Sequence, residues 1–336
     1  MKDKVRLGVV GVGHFGRHHA RVYSELEDVR LVGVADLLPE RADAVARRHD
    51  TAAFSDYRLL FDRVDAVSVA VPTSAHSSVS CDFLEHGISV LVEKPMAGTL
   101  AEALRMQAAA EASGARLQVG HIMRFNPVVV ALRDTDIVPR LIEIQRLSPF
   151  TFRSLDVGVV LDLMIHDIDL VLHLVRAEVE KVDAVGFAVV GETEDVASAR
   201  IAFDDGCVAN LTASRVATRT VREARVFSAE TCVSMDFRAG AGLVVRKSSG
   251  FSLDALELEK MRALPQDELR NLTFGDLFTV REMKPDHEEP LKAELRSFVT
   301  CVRDGCTPVV SPQDGVRSMD LAEKVLAAVR LHSRRR

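Results

Sequence analysis

The sequence predicts an α/β protein of two domains, a doubly wound parallel sheet over residues 1–122 and an α+β domain with an antiparallel sheet over residues 123–336. Three observations predict it. Apolar runs and helical patterns alternate one for one over the first ~120 residues, as crossover-connected parallel strands require. Beyond Gly120 the alternation gives way to short runs of period two joined by turn residues, the mark of antiparallel strands. Between these regimes residues 158–175 form one long apolar segment of helical period. A length of 336 residues suits two such domains.

In the first half, strands are expected at residues 5–10 (VRLGVV), 30–35 (RLVGVA), 65–71 (DAVSVAV), 88–92 (ISVLV) and 116–120 (RLQVG). Helices are expected between them at 14–26, 39–48, 74–86 and 99–113, the last rich in alanine, the strongest helix former. In the second half, 141–147 (LIEIQRL) reads as a strand and a loop with Pro149 follows it. The buried helix at 158–175 comes next, then alternating runs at 182–190, 196–203, 207–214, 224–229 and 232–237. Asp204-Asp205-Gly206 between two of these is a hairpin signal. Ser248-Ser249-Gly250 and the polar stretch 265–290 read as loops or short elements. Amphipathic helices at 291–304 and 314–332 close the chain, separated by Gly305 and the Pro308–Pro312 turn.

Hydrophobic residues make up 47% of the chain, enough for a large core. The formal net charge of −6 argues against nucleic acid or an anionic membrane as the main partner. Cys81, Cys207, Cys232, Cys301 and Cys306 are odd in number and scattered, which suggests free thiols in a reducing cytoplasm. No apolar run approaches the ~20 residues of a membrane span. The charged N-terminus runs straight into an apolar strand and a glycine motif, unlike a signal peptide.

Gly11-Val-Gly13-His14-Phe15-Gly16 follows the first strand and opens the first helix. In a GxGxxG turn the first glycine permits the tight bend, the second lets backbone approach a pyrophosphate, and the third lets helix and strand pack closely. His14 and Phe15 ride on the same loop and join the candidate cofactor contacts. The second strand ends in Asp36, whose carboxylate can accept from ribose hydroxyls and repels a 2′-phosphate. This favours NAD over NADP, with Arg41 on the next helix leaving NADP open. Pro72, Thr73 and His76 follow the fourth strand at the carboxyl edge, where ligands of such sheets sit, and are further candidates. Glu93-Lys94-Pro95 follows the fifth strand at the same edge. An ammonium there can polarise a substrate oxygen and stabilise a developing alkoxide.

The apolar helix carries Asp162, His166, Asp169 and His173 at i, i+4, i+7 and i+11, one face of a 3.6-residue helix. Titratable groups in such a helix are costly unless paired or used. A carboxylate one turn before an imidazole suits a proton-transfer histidine, while the same four residues also fit a structural network or, least well given the glycine motif, a metal site.

GVVGVGHFG, VLVEKP, GHIMRFNP and G(x)3D(x)3H, in this order and spacing over nearly the whole chain, resemble the Gfo/Idh/MocA oxidoreductase family. The resemblance implies an N-terminal Rossmann domain and a C-terminal domain whose open, mostly antiparallel sheet commonly forms the interface of a homodimer or homotetramer. It maps Lys94, Asp162 and His166 as the catalytic set, and Arg124 and Asn126 near cofactor and substrate. RLSPFTFRSLDVGVVLDLMIHDID is similar to the UDP-N-acetylglucosamine 3-dehydrogenase group, which oxidises a sugar nucleotide ahead of an aminotransferase in lipid A synthesis. The implied reaction is hydride transfer from a secondary hydroxyl lying between Lys94 and His166, with Asp162 or Asp169 stabilising the imidazolium. Arg146, Arg153, Arg215 and Arg219 are candidate partners for the substrate's pyrophosphate, since guanidinium forks match phosphate oxygens. An inositol or free-sugar dehydrogenase and a non-catalytic NAD-binding regulator are the rival readings.

Overall fold

The computed structural model describes residues 4–151, 157–248, 278–285 and 288–333. The first half runs β1 (Val5–Val10), α1 (Gly16–Glu25), β2 (Val29–Ala35), α2 (Pro39–Arg48), β3 (Ala52–Phe54), β4 (Ala66–Val69), α3 (Thr73–Glu85), β5 (Ser89–Glu93), α4 (Leu100–Ser113) and β6 (Leu117–Gly120). Its strands are all parallel, in the order β3-β2-β1-β4-β5-β6. The order reverses between β1 and β4, which opens a crevice beyond the carboxyl ends of the strands. The expected elements of this half lie within two residues of those observed at every end. β3 was not expected, because a three-residue strand carries no readable alternation.

Local chemistry sets these elements. Thr99 caps α4 by accepting from the Glu102 N–H at 3.3 Å, and Glu102 accepts in return from the Thr99 N–H at 3.1 Å. This reciprocal box satisfies two backbone donors that a helix start otherwise leaves bare. Gly11 takes φ +83°, and a Cβ there would stand 2.7 Å from the Ala70 carbonyl oxygen, so only glycine turns the chain at the end of β1.

The second half comprises α5 (Pro127–Leu132), β7 (Leu141–Leu147), a π-helical turn (Val160–Met164), α6 (Ile165–Leu174), β8 (Val179–Phe187), β9 (Val196–Phe203), β10 (Val208–Ser214), β11 (Val221–Phe227), β12 (Thr231–Asp236), β13 (Ala241–Lys247), β14 (Phe278–Glu282), α7 (Pro290–Asp304) and α8 (Pro312–Ser333). The eight-stranded sheet has the order β14-β13-β12-β11-β7-β10-β9-β8. Only β7 and β10 pair in parallel, so the sheet is open and mostly antiparallel. The Asp204-Asp205-Gly206 hairpin joins β9 to β10, with Gly206 at φ +84°.

One expectation is corrected. The helix at 158–175 is not one continuous α-helix, since its first turn is π-helical. β13 lies where no element was expected, whereas β14 is a short element within the stretch 265–290. β14 is the edge strand and β13 lies between it and β12; of their side chains only Val244 is buried, so neither shows a hydrophobic alternation. Residues 265–277, Ser249 and Gly250 lie outside the described residues.

The last two helices return to the first sheet. Leu295, Phe298 and Val299 of α7 share a core with Leu7 and Val9 of β1 and with Ala20 and Tyr23 of α1. α8 packs against α4 and β6 on one side and against α6 and β8 on the other. The two sheets are thereby held as one body with the crevice between them.

Candidate active site

The glycine loop and the carboxyl ends of β2 and β4 enclose a cavity of about 530 Å³ lined by Gly11, Gly13, Asp36, Arg41, Tyr57 and Pro72, among others. A Cβ on Gly13 would meet nothing within 4 Å, and one on Gly16 would overlap the Gly11 carbonyl oxygen. Gly13 therefore borders open space while Gly16 marks tight helix–strand contact, the pattern a dinucleotide pyrophosphate needs. Asp36 accepts from the Val12 N–H at 2.9 Å and the Leu38 N–H at 3.0 Å, which holds the loop and keeps the carboxylate at the cavity wall. His14 and Phe15 are exposed on the loop with their rings edge to face at 5.1 Å. Pro72 is exposed and Thr73 half-buried at the start of α3. These residues fit a bound nicotinamide dinucleotide.

His76 has a different place. It is 1% exposed, and its ring nitrogens lie 2.8 Å from the Pro95 carbonyl oxygen and 2.9 Å from the Val71 carbonyl oxygen. It ties the ends of β4 and β5 together from within, as a brace behind the crevice. Glu93 is also braced from within. Its Oε1 accepts from His19 Nε2 at 2.9 Å and its Oε2 from the Lys94 N–H at 3.2 Å. Burial pushes the Glu93 carboxyl up, but His19 and Lys94 more than offset it and leave it below the usual range.

Lys94 and Asp162 meet across the two sheets' boundary. Lys94 Nζ donates to the Asp162 carbonyl oxygen at 2.7 Å and to its carboxylate at 3.2 Å. Both side chains are largely shielded, at 11% and 20% exposure, so the pair is stronger than a surface ion pair. His166 begins the next turn and is half-buried. Its Nδ1 is buried without a partner, and neither Asp162 nor Asp169 hydrogen-bonds to it. Burial first, then the charges of Lys94 and Arg146, drives its pKa well below 6.5, so it is a neutral imidazole at pH 7. The expected carboxylate-oriented imidazole is thus corrected: the acidic neighbours are engaged elsewhere, and cations surround the ring.

Asp169 is fully buried and binds the Arg124 guanidinium at 2.6–3.1 Å. Arg124 also meets Asp314 of α8 at 3.1 Å. Both residues anchor α6 and face each other, so each of these two candidate contacts is already engaged by the other. Asn126 caps α5 by accepting from the Val128 N–H at 3.1 Å and donates to the Phe237 carbonyl at 3.4 Å, so its amide is occupied by backbone. His173 lines a separate cavity with Leu132, Arg133 and Asp136, so the four titratable residues do not converge.

Arg146 is buried and forks onto Asp167 at 2.6–3.1 Å. Arg215 is buried against Asp195 at 2.6 Å. Neither guanidinium is free for a pyrophosphate, and Arg219 stands exposed in the loop before β11. Arg153 lies outside the described residues. His19 and His121 were not singled out from the sequence. His121 follows β6 directly, is 1% exposed, and holds Nε2 3.9 Å from Asp169. Its position just past a parallel strand was the available signal, as it was for Lys94.

Comparison with known proteins follows this geometry. Residues 5–121 match the family model described as an oxidoreductase family with an NAD-binding Rossmann fold, and residues 135–231 match the GFO/IDH/MocA C-terminal domain. The chain is 40% identical over 269 residues to UDP-N-acetylglucosamine 3-dehydrogenase of Acidithiobacillus ferrooxidans, covering 77% of this chain and 85% of that one. A solved structure of that organism's UDP-N-acetylglucosamine 3-dehydrogenase GnnA superposes with a TM-score of 0.86 at 34% identity, covering 97% of each chain. The scyllo-inositol 2-dehydrogenase (NAD(+)) of Bacillus subtilis is 27% identical over 342 residues, covering 96% of this chain and 93% of that one.

Proposed function

The chain belongs to the Gfo/Idh/MocA oxidoreductase family, and from that premise we propose that it oxidises C3 of UDP-N-acetylglucosamine to the 3-keto sugar nucleotide, with NAD as hydride acceptor. The observation that carries the reading is the meeting of a shielded Lys94–Asp162 pair with a neutral His166 at the carboxyl edge of the parallel sheet. Likeness to the Acidithiobacillus enzyme over most of the chain supports the substrate.

Lys94 presents an ammonium whose position is set by the Asp162 carbonyl and carboxylate. That charge polarises the substrate's secondary hydroxyl and stabilises negative charge on its oxygen. His166, held neutral by burial and neighbouring cations, accepts the hydroxyl proton. When bound, the nicotinamide ring takes up the hydride. Glu93, braced by His19, keeps the Lys94 backbone in place. Asp36 at the end of β2 supports NAD over NADP, because its carboxylate repels a 2′-phosphate.

Assembly as a homodimer or homotetramer through the eight-stranded sheet belongs to this reading, supported by the exposed Leu243 of β13 and Val280 of β14. The proposed location is the cytoplasm, which all five cysteines as free thiols support. No helix among the described residues is long and apolar enough to cross a membrane.

The test is absorbance of reduced nicotinamide with purified protein, NAD and UDP-N-acetylglucosamine, an aminotransferase being added to pull the equilibrium. Reduction of NAD, with product analysis placing the ketone at C3, is the expected result. Turnover of inositol or free sugars in place of the nucleotide would move the substrate to the inositol-dehydrogenase reading. Tight NAD binding without turnover of any polyol would favour the regulatory reading.

A further inference from the structure

Arg222 and Arg238 were absent from the sequence-derived candidates, yet they stand closest in character to what a phosphate needs. Arg222 lies directly opposite Arg146 in the β11–β7 pairing, so the two side chains share one face of the sheet. That face is the one turned to α6, since Arg146 reaches Asp167 there at 2.6 Å. Further along the same face Ala224 and Val226 are buried, whereas Arg222, near the start of the strand, is exposed. Arg146 is neutralised by its carboxylate; Arg222 has no hydrogen-bond or ion-pair partner among the described residues.

Arg238 is brought beside it by backbone. The Phe237 N–H donates to the Arg222 carbonyl at 3.0 Å, and the Asp236 carboxylate accepts from the Arg238 N–H at 2.8 Å. Asn126 Nδ2 holds the same turn through the Phe237 carbonyl. The Arg238 guanidinium is exposed and likewise has no partner among the described residues. Electrostatics agrees with this arrangement. Partial desolvation, then the charges of Arg146 and Arg238, holds Arg222 below its usual pKa, with Asp167 and Asp162 only partly offsetting them. Arg222 is in turn among the cations that keep His166 neutral, so its charge is felt at the reacting edge.

Two unpaired guanidinium groups in one wall repel each other unless an anion joins them. We propose that Arg222 and Arg238 are the receptor for the diphosphate of a sugar-nucleotide substrate, holding the sugar hydroxyl against Lys94 and His166. This rests on the proposed sugar-nucleotide oxidation. Planar guanidinium forks donate to two phosphate oxygens each, which a lysine cannot reproduce. The pyrophosphate of the cofactor belongs to the glycine loop of the other domain, so the two diphosphates have separate receptors.

The experiment measures binding of UDP, as probe, to the full-length enzyme saturated with NAD, by calorimetry at two salt concentrations. R222M and R238M should each weaken UDP about 10–100-fold, the scale of charge-assisted hydrogen bonds, and R222K should recover part of the loss. NAD affinity should stay within about twofold in all variants, which separates the substrate diphosphate from that of the cofactor. The salt dependence of UDP binding should shrink in the double variant R222M/R238M. A folded double variant that binds UDP as the wild type does, while the wild type oxidises UDP-N-acetylglucosamine, overturns this inference alone. A wild type that ignores UDP and oxidises free polyols overturns the substrate reading and this inference with it.

Discussion

In the proposed reaction Lys94, Asp162 and His166 divide the chemistry by environment. The lysine is paired with a carboxylate, while the histidine loses its charge because burial and cations crowd it. Lys94→Ala and His166→Ala should each lower kcat by at least ~100-fold, the scale of a general acid–base contribution, with NAD affinity retained. Near-normal turnover in either variant contradicts the role given to it. The pH profile adds a sign. His166 acts as the neutral imidazole, and its folded pKa lies well below 6.5, so kcat/KM should stay flat from pH 8 down to 6.5 and fall only at more acid pH. An acid limb centred at or above 6.5 contradicts this. These three residues were legible because each follows a strand end or opens a helix in a motif. Arg146 and Arg215 were not, because a sequence cannot distinguish a solvated arginine from one buried against an aspartate 20 or 21 residues away. The backbone partners of His76 and Asn126 were unreadable for a related reason, since no motif signals a side chain held by carbonyls and N–H groups.

At the scale of elements, the site depends on where α6 sits. Two buried arginines hold it, Arg124 through Asp169 and Arg146 through Asp167, and both carboxylates are at 0% exposure. Removing one partner of such a pair strands a buried charge, so Arg146→Met should destabilise the fold by about 3–5 kcal/mol in urea denaturation. The double variant Arg146→Met, Asp167→Leu should recover much of that, because well-packed apolar groups replace a buried pair at little cost. A single variant as stable as wild type would show that Arg146 does not carry α6. The helix itself was readable from its apolar period, and the parallel sheet from its strict alternation with helices. The π-helical turn at Val160–Met164 was not readable, since one extra residue per turn leaves no mark in a five-residue apolar run. That turn bears Asp162, whose backbone carbonyl and carboxylate both receive Lys94. β13 and β14 escaped for the converse reason, as strands with few buried side chains whose pairing, β14 on β13 and β13 on β12, follows no hydrophobic alternation.

At the scale of the whole molecule, titratable groups whose charged form burial disfavours fix how stability depends on pH. His76, His121 and His166 all have pKa values pushed below 6.5, in each case chiefly by burial. In the unfolded chain each returns to about 6.5. Below that pH the unfolded state binds protons that the native state refuses, so stability falls as pH falls. Each such histidine removes about 1.4 kcal/mol per pH unit between 6.5 and its folded pKa. Glu294 on α7 works the other way. It is 1% exposed, its Oε1 has no partner, and burial followed by the charges of Glu93 and Asp169 raises its pKa well above 4.5. Between 4.5 and that raised value the native state binds the extra proton, so this group adds stability as pH falls. Thermal melts of wild type should therefore show a Tm lower at pH 5.5 than at pH 7.5, because three histidines outweigh one acid. Glu294→Gln removes the opposing group while preserving shape. Its Tm relative to wild type should be highest at pH 8 and decline toward pH 5, making the variant's acid loss the steeper of the two. A wild-type Tm that is level or rising from pH 7.5 to 5.5, in the Glu294→Gln variant as well, would contradict the lowered pKa values given to the buried histidines.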